Sequence, residues 1–333
     1  MNATIHPGPA AKVPVTILTG FLGAGKTTLL NRILQERHGE RIAVIENEFG
    51  PDGVDNDLLL SSGPAQIVEM NNGCICCTVR GDLVRILGQL QQRREAHTSH
   101  FDRVIIETTG LADPAPVAQT FFMDEDIAAG YTLDAIVTVV DALHAEQQLD
   151  AHHEAQEQVG FADRILLSKS DLVDAAQRER LEQRLRRINP RASIRAVHFG
   201  ATAIDDLLDV AGFSLSHVLE IEPGFLGEET HEHDDAIKAF VFNTELAFDA
   251  DRLQAFFRDA IAAHGPDLLR YKGIVALPGL QHRLVLQGVH MLMNSDLGRP
   301  WADGEPRRSR LVFIGRSLPE AAMRAALQTC LLC

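Results

Sequence analysis

Gly20-Phe21-Leu22-Gly23-Ala24-Gly25-Lys26-Thr27 is a glycine-rich run that closes on a lysine and a threonine. Glycines let a backbone curl until its N–H groups converge on a phosphate, so Gly20, Gly23, Ala24 and Gly25 would form the cradle. Lys26 would reach the β- and γ-phosphates. The Thr27 hydroxyl would bind Mg²⁺, with Thr28 beside it as a further nucleotide contact. An apolar segment precedes the run and a helical pattern follows it, the context a P-loop needs, so a mere glycine-rich turn is the weaker reading.

Two downstream segments fit the same chemistry. Val104-Ile105-Ile106-Glu107-Thr108-Thr109-Gly110 is an apolar strand ending in a carboxylate. Glu107 would hold Mg²⁺ through water, and Gly110 leaves room for its N–H to approach the γ-phosphate. A strand ending in an acid is commonplace alone, and the upstream P-loop gives this one its meaning. Lys26, Thr27 and Glu107 form the candidate catalytic set. Ser168-Lys169-Ser170-Asp171 follows a strand candidate. Asp171 would accept from the N1–H and 2-amino donors of guanine while the Lys169 stem lies over the base. Adenine lacks that donor pair, so GTP and GDP are favoured over ATP.

The five cysteines fall into two tight groups, at 74, 76 and 77 and at 330 and 333. In a reducing compartment such clusters point to metal or thiol chemistry before structural disulfides. Thiolates are soft ligands suited to Zn²⁺ and Cu⁺. In an extended segment Cys74 and Cys76 face one way and Cys77 another. One segment rarely supplies all four ligands, and Glu46 and Glu48 are candidates to complete the set. Redox-active thiols and inert buried cysteines remain alternatives. Cys330-Leu331-Leu332-Cys333 invites a metal reading but continues an amphipathic helix and has no partner pair. His231-Glu232-His233-Asp234-Asp235 is either a weak collector of divalent ions or a solvated linker. His264, His282 and His290 are scattered and read as surface or core residues.

These residues need a scaffold. The 333-residue chain is 45% hydrophobic and 23% charged, the balance of a soluble globular protein. No apolar run is long enough to span a membrane, and the Ala/Pro-rich start does not read as a secretion signal, so a cytoplasmic location is expected. A net charge of −15 repels nucleic acid and anionic lipid. Strand candidates at 13–18, 41–45, 66–70, 104–107, 136–141, 165–167 and 193–197 alternate with helices at 26–35, 83–95 and 179–188. That alternation predicts an α/β domain, a mostly parallel sheet with helices on both faces. The pattern breaks near 222. Strands at 238–242, 273–277, 283–289 and 310–314, with helices at 251–263 and 319–328, predict a small α+β domain. The expected boundaries are a lead-in at 1–12, a nucleotide domain at 13–221, an acidic, His-containing linker at 222–235 and a C-terminal domain at 236–333.

Taken in order, GFLGAGKTTLLNRIL, VIENEFG, NGCICC, ETTGLADPAP and SKSD resemble the CobW family of metal-linked P-loop GTPases, most of all its YjiA-type members. The resemblance covers residues 13–333, and includes Arg270-Tyr271-Lys272-Gly273 and Arg299-Pro300-Trp301 near the end. It implies slow GTP hydrolysis and zinc, or another transition metal such as Co²⁺, held by Cys74, Cys76 and Cys77 with Glu46 nearby. It also implies delivery of that metal to a client metalloprotein through the C-terminal domain. One departure is local: where the family often has an acid after N-E-F-G, this chain has Pro51 and then Asp52, so a site using that acid loses it or shifts by one residue. The cysteines lie in the chain between the loops after Glu46 and Glu107, so nucleotide state and metal affinity are expected to be linked. A thiol redox regulator, or a client-assembly protein with incidental hydrolysis, is the alternative. A homo-oligomer is left open.

Overall fold

The computed structural model describes residues 12–35, 39, 41–46, 66–69, 78–197, 236–302 and 304–332. The first 196 residues carry a seven-stranded sheet built from Val13–Gly20 (β1), Ile42–Glu46 (β2), Gln66–Glu69 (β3), Arg103–Glu107 (β4), Tyr131–Asp141 (β5), Arg164–Ser168 (β6) and Ser193–Ala196 (β7). The order is β3-β2-β4-β1-β5-β6-β7, and every pairing is parallel. Central strands of such a sheet are covered on both faces, so they read as continuous apolar runs. Val15, Ile17, Ile105, Ile136 and Val137 are all buried.

Lys26–Gln35 (α1) covers one face, packing Leu29, Leu30 and Ile33 onto Leu18, Val44 and Ile105. The other face receives Thr78–Glu95 (α2), Ala115–Met123 (α3), Glu125–Gly130 (α4), Ala145–Ala151 (α5), His153–Phe161 (α6) and Ala175–Ile188 (α7). Asp174 starts α7 with a capping box: it accepts from the Gln177 N–H at 2.7 Å, and Gln177 accepts from the Asp174 N–H at 3.0 Å.

The second sheet is antiparallel. Its strands are Ile237–Thr244 (β8), Arg270–Val275 (β9), His282–Val289 (β10), Leu292–Pro300 (β11) and Ser309–Arg316 (β12), in the order β11-β10-β9-β12-β8. Ala250–His264 (α8) and Glu320–Thr329 (α9) lie on one face, over a stack of Phe240, Phe257, Tyr271 and Phe313. The opposite face carries Ile237, Val241, Leu269, Val289, Val312 and Ile314, which join the same core as Phe161 at the end of α6. The two sheets are thus fastened by shared apolar burial.

The α/β class with a small α+β addition holds, and the differences have physical causes. β11 carries Asn294, Ser295, Asp296 and Gly298 and is mostly exposed, so no apolar alternation announces it. β9 starts at Arg270 rather than Gly273 because Arg270 and Lys272, both buried, interrupt the apolar run. β5 starts at Tyr131 rather than Ile136, and α3 to α6 are short helices that the pattern does not single out. Residues 1–11 of the lead-in and residues 198–235, which include His231 and His233, lie outside the described residues.

Asp163, between α6 and β6, locks the sheets. Its carboxylate accepts from Arg270, from Lys272 Nζ at 3.5 Å and from the Ile136 N–H at 2.9 Å. Burial pushes this carboxyl up, but the cations on β9 and the hydrogen bonds outweigh it and hold it below the usual carboxylate range. Because its folded pKa is depressed, its contribution is complete above the unfolded value of about 3.9 and is lost as pH falls through the folded one. Asp163→Ala leaves buried cations short of their counter-charge and is expected to cost about 3 kcal/mol. Urea unfolding at pH 7 measures the loss, and the gap between wild type and variant should narrow below pH 4.

Candidate functional site

Parallel pairing brings the carboxyl ends of β1, β4, β5 and β6 to one edge of the sheet. The strand order reverses around β1, the position where open α/β sheets bind ligands. The P-loop turn, 21–25, leaves β1 there and feeds α1. Gly23 and Gly25 have φ of 73° and 99°, left-handed backbone that suits glycine. Lys26 is buried and donates through Nζ to Gly20 O at 2.8 Å and Phe21 O at 3.4 Å. Burial lowers its pKa, opposed by the charge of Glu107. Thr27 Oγ1 donates to Glu107 Oε1 at 3.0 Å, and Thr28 is exposed on the first turn of α1. The Thr108 N–H donates to Leu18 O at 3.0 Å and its hydroxyl to Thr19 Oγ1 at 2.8 Å, so β4 is tied to β1 just where Glu107 must be held.

The third element reaches the P-loop from β6. Ser168 Oγ donates to Ala24 O at 2.6 Å. Lys169, left-handed at φ 53°, donates from Nζ to Gly23 O at 3.0 Å and to Asp141 Oδ2 at 2.7 Å. Asp171 is exposed in a 3₁₀ turn, Ser170–Leu172. A cleft of about 380 Å³ opens alongside, lined in part by Gly25, Thr28, Arg32, Ser168 and Val197.

Asp141 is the residue that sequence reasoning passed over. It ends β5, is 2% exposed, and also accepts from His144 Nδ1 at 2.9 Å and the Leu143 N–H at 3.0 Å. Burial raises its pKa, but the bonds from Lys169, His144 and Leu143 prevail and hold it below the usual range. Its signal was an apolar strand closing on an acid, the same signal read as functional at Glu107.

The sheet edge therefore gathers Gly20 to Thr28, Glu107, Gly110, Lys169 and Asp171. Cys74, Cys76, Cys77, Glu48, Pro51 and Asp52 lie outside the described residues. Glu46 ends β2 in register with Glu107 of β4 and Glu69 of β3. Among the described residues no group of three or more His, Cys, Asp and Glu side chains converges as a metal site. Cys330 is buried, its thiol donating to Ala326 O at 3.3 Å and Arg252 O at 3.5 Å, and burial pushes its pKa up. That is a packing role, and its neighbour Cys333 is not described.

Comparison with known proteins agrees with this layout. Residues 14–196 match the family described as "CobW/HypB/UreG, nucleotide-binding domain", and residues 237–331 match "Cobalamin synthesis protein cobW C-terminal domain". The zinc chaperone YjiA of Escherichia coli (strain K12) is 43% identical over 315 residues, covering 94% of this chain and 97% of that protein. The zinc-regulated GTPase metalloprotein activator 1 of Dictyostelium discoideum is 30% identical over 388 residues, covering 96% and 80%. The crystal structure of the Zn(II)-bound YjiA GTPase from E. coli aligns with a TM-score of 0.80 at 38% identity, covering 96% of this chain and 99% of that one. No helix among the described residues is long and apolar enough to cross a membrane.

If Asp141 anchors Lys169 over the nucleotide, Asp141→Asn removes the charge that holds the ammonium. Affinity for GDP is expected to fall roughly tenfold, the worth of one charge-assisted hydrogen bond. Fluorescent-nucleotide titration checks this, and unchanged affinity would remove Asp141 from the site.

Proposed function

The chain belongs to the CobW family of nucleotide-binding proteins, and from that premise we propose that it is a GTP-hydrolysing zinc chaperone whose nucleotide state governs metal supply to a client protein. The observation that carries this reading is the convergence on the P-loop of the Thr27–Glu107 pair and the Ser168–Lys169 tie. One belongs to phosphate chemistry and the other to base recognition, and both are anchored to the same turn.

The residues divide the work. Backbone N–H groups of residues 23–28 receive the β-phosphate, and Lys26 turns its ammonium from Gly20 O to the β- and γ-oxygens. Thr27 and Glu107 present two hard oxygen donors beside the phosphates, a set that suits Mg²⁺. Mg²⁺, when bound, neutralises charge building on the β,γ-bridging region. Gly110 offers its N–H to the γ-phosphate. Asp171 accepts from guanine, and Lys169 keeps the base-reading turn against the P-loop.

Zinc is the cargo, assigned to Cys74, Cys76 and Cys77 with Glu46 close by; that the relatives are a zinc chaperone and a zinc-regulated GTPase metalloprotein activator supports zinc over Co²⁺. Support for coupling comes from register: Glu69 of β3, the strand before the cysteine segment, pairs with Glu46 of β2, and Glu46 pairs with Glu107 of β4, so only β2 separates β3 from the strand that carries the nucleotide acid. The client is assigned to the C-terminal domain, whose antiparallel sheet is fastened to the nucleotide domain through α6 and Asp163.

Two measurements test this. Zn²⁺ affinity of the whole protein, titrated with a GTP analogue and with GDP, should differ between the two, and Cys74→Ala/Cys76→Ala/Cys77→Ala should abolish tight binding. Equal affinities would end the coupled-chaperone reading. Asp171→Asn should weaken GTP binding between roughly tenfold and a hundredfold and relax the choice of purine, since charge-assisted bonds contribute about 1.5–3 kcal/mol.

A further inference from the structure

The loop that follows Glu107 is gripped from two sides. On the nucleotide side Gly110 abuts the P-loop: a Cβ there would stand 2.7 Å from the backbone nitrogen of Leu22 and 2.8 Å from its Cα. On the far side stands Gln158 of α6, whose side chain is 1% exposed. Its Nε2 donates to Gly110 O at 3.2 Å and to Ala112 O at 3.0 Å, so both amide hydrogens are used on one loop. Two accepting carbonyls fix which end of the amide faces the loop. Its Oε1 is buried and makes no hydrogen bond.

The same helix holds the C-terminal domain. Gln156, two residues earlier, accepts at Oε1 from the N–H groups of Ala236 and Ile237, at 3.1 and 3.3 Å, where β8 begins. Glu157 pairs with Arg316 at the end of β12. A Cβ at Gly160 would stand 3.3 Å from Leu269, 3.4 Å from Ile237 and 3.6 Å from Ile314, so the helix backbone approaches the second sheet closely here. Residues two apart on a helix project to different sides, so Gln158 faces the loop while Gln156 faces the second sheet.

We propose that Gln158 is a positioning residue for the γ-phosphate loop, and that α6, through Gln156, carries the position of that loop to the C-terminal sheet. The proposal rests on the reading of Gly110 as the γ-phosphate contact. In a trans peptide the C=O and the following N–H point in opposite directions. By drawing Gly110 O and Ala112 O towards α6, Gln158 turns the N–H groups of Leu111 and Asp113 away from it. The unpartnered Oε1 is the acceptor for a second arrangement, in which the amide turns over and accepts from one of those N–H groups. Buried acceptors without partners are rare, and this one belongs to the same amide that holds the loop. The loop thus has two sets of partners on one side chain: Nε2 of Gln158 holds the arrangement that presents the N–H groups to phosphate, and Oε1 would hold the other. α6 shifts between them and takes β8 and β12 with it.

The experiment uses the full chain and three readouts: affinity for GDP, affinity for a slowly hydrolysed GTP analogue, and amide hydrogen exchange in 237–244 and 309–316 with each nucleotide. Gln158→Leu keeps the volume and removes the donors. It is expected to leave GDP affinity within about twofold, lower affinity for the analogue about tenfold, and erase the nucleotide-dependent difference in exchange. Gln156→Leu should leave both affinities as in wild type and erase only the exchange difference. Gln158→Asn, which keeps the amide but withdraws it by one methylene, replaces Gln158→Leu if that variant does not fold. Equal loss of both nucleotides in the Gln158 variant, or an unchanged ratio, overturns the proposal. A wild-type protein that does not distinguish the analogue from GDP overturns the γ-phosphate reading first and the proposal with it.

Discussion

Thr27 and Glu107 meet at 3.0 Å although 80 residues separate them in the chain. Their meeting follows from register: Leu18 of β1 is paired with Glu107 of β4, so β4 ends just where β1 turns into the P-loop. A parallel sheet aligns strand ends of one polarity along one edge, and a shift of one residue would send Glu107 to the opposite face. The apolar runs on either side resist that shift. Val15 faces Val104 and Ile17 faces Ile106, all four buried in the main core, and a slip would carry the Thr16 hydroxyl, which donates to Asp134, into that core. The placement of the phosphate chemistry is therefore enforced by hydrophobic burial some distance from it, and the hydrogen bonds of Thr108 fine-tune it.

The same edge explains why base and phosphate recognition form one unit. Ser168 and Lys169 leave β6 and bond directly to carbonyls of the P-loop, and Asp141 of the intervening β5 secures Lys169. A lysine held by a buried carboxylate cannot wander, which limits the conformational entropy lost when a nucleotide arrives. Order is established before binding, at the cost of burying a charged pair. That pair is compensated by His144 and the Leu143 N–H, the kind of full satisfaction a buried carboxylate requires.

The sequence was most legible where period and position agreed. The glycine-rich turn between a buried strand and a helix, and the alternation that yields the parallel sheet, both follow from local pattern, because strands covered on two faces have little freedom of composition. Legibility failed where polar side chains are used inside. Gln156 and Gln158 lie on a short helix that the pattern does not single out, and both are buried, each satisfying backbone groups of a different element. Arg270 and Lys272 read as breaks in a strand, and they are the cations that hold Asp163. Asp141 looks no different from any acid at a strand end until Lys169 is seen beside it. Tertiary partners decide these cases, and no window of neighbouring residues contains them. The acid beside the cysteines in the reading of the metal site, Glu46, is in register with Glu107, but register alone does not say which ligands close around a metal.

Linkage sets how much a loop must accomplish. To change metal or client affinity a hundredfold between GTP and GDP, the two nucleotide states must differ by about 2.7 kcal/mol in their interaction with the rest of the protein. The two bonds from Gln158 to Gly110 O and Ala112 O, at about 1 kcal/mol each, are of that order, while a single surface ion pair such as Arg41–Asp102 is not. A buried amide makes a better lever than an exposed charge because water cannot replace what it loses. Its all-or-none geometry also suits a switch: two carbonyls on one amide are released together or not at all. The short helix between the P-loop edge and the second sheet therefore has both the contacts and the energy scale for coupling, and the shared core around Phe161 gives it little room to move without displacing the C-terminal strands.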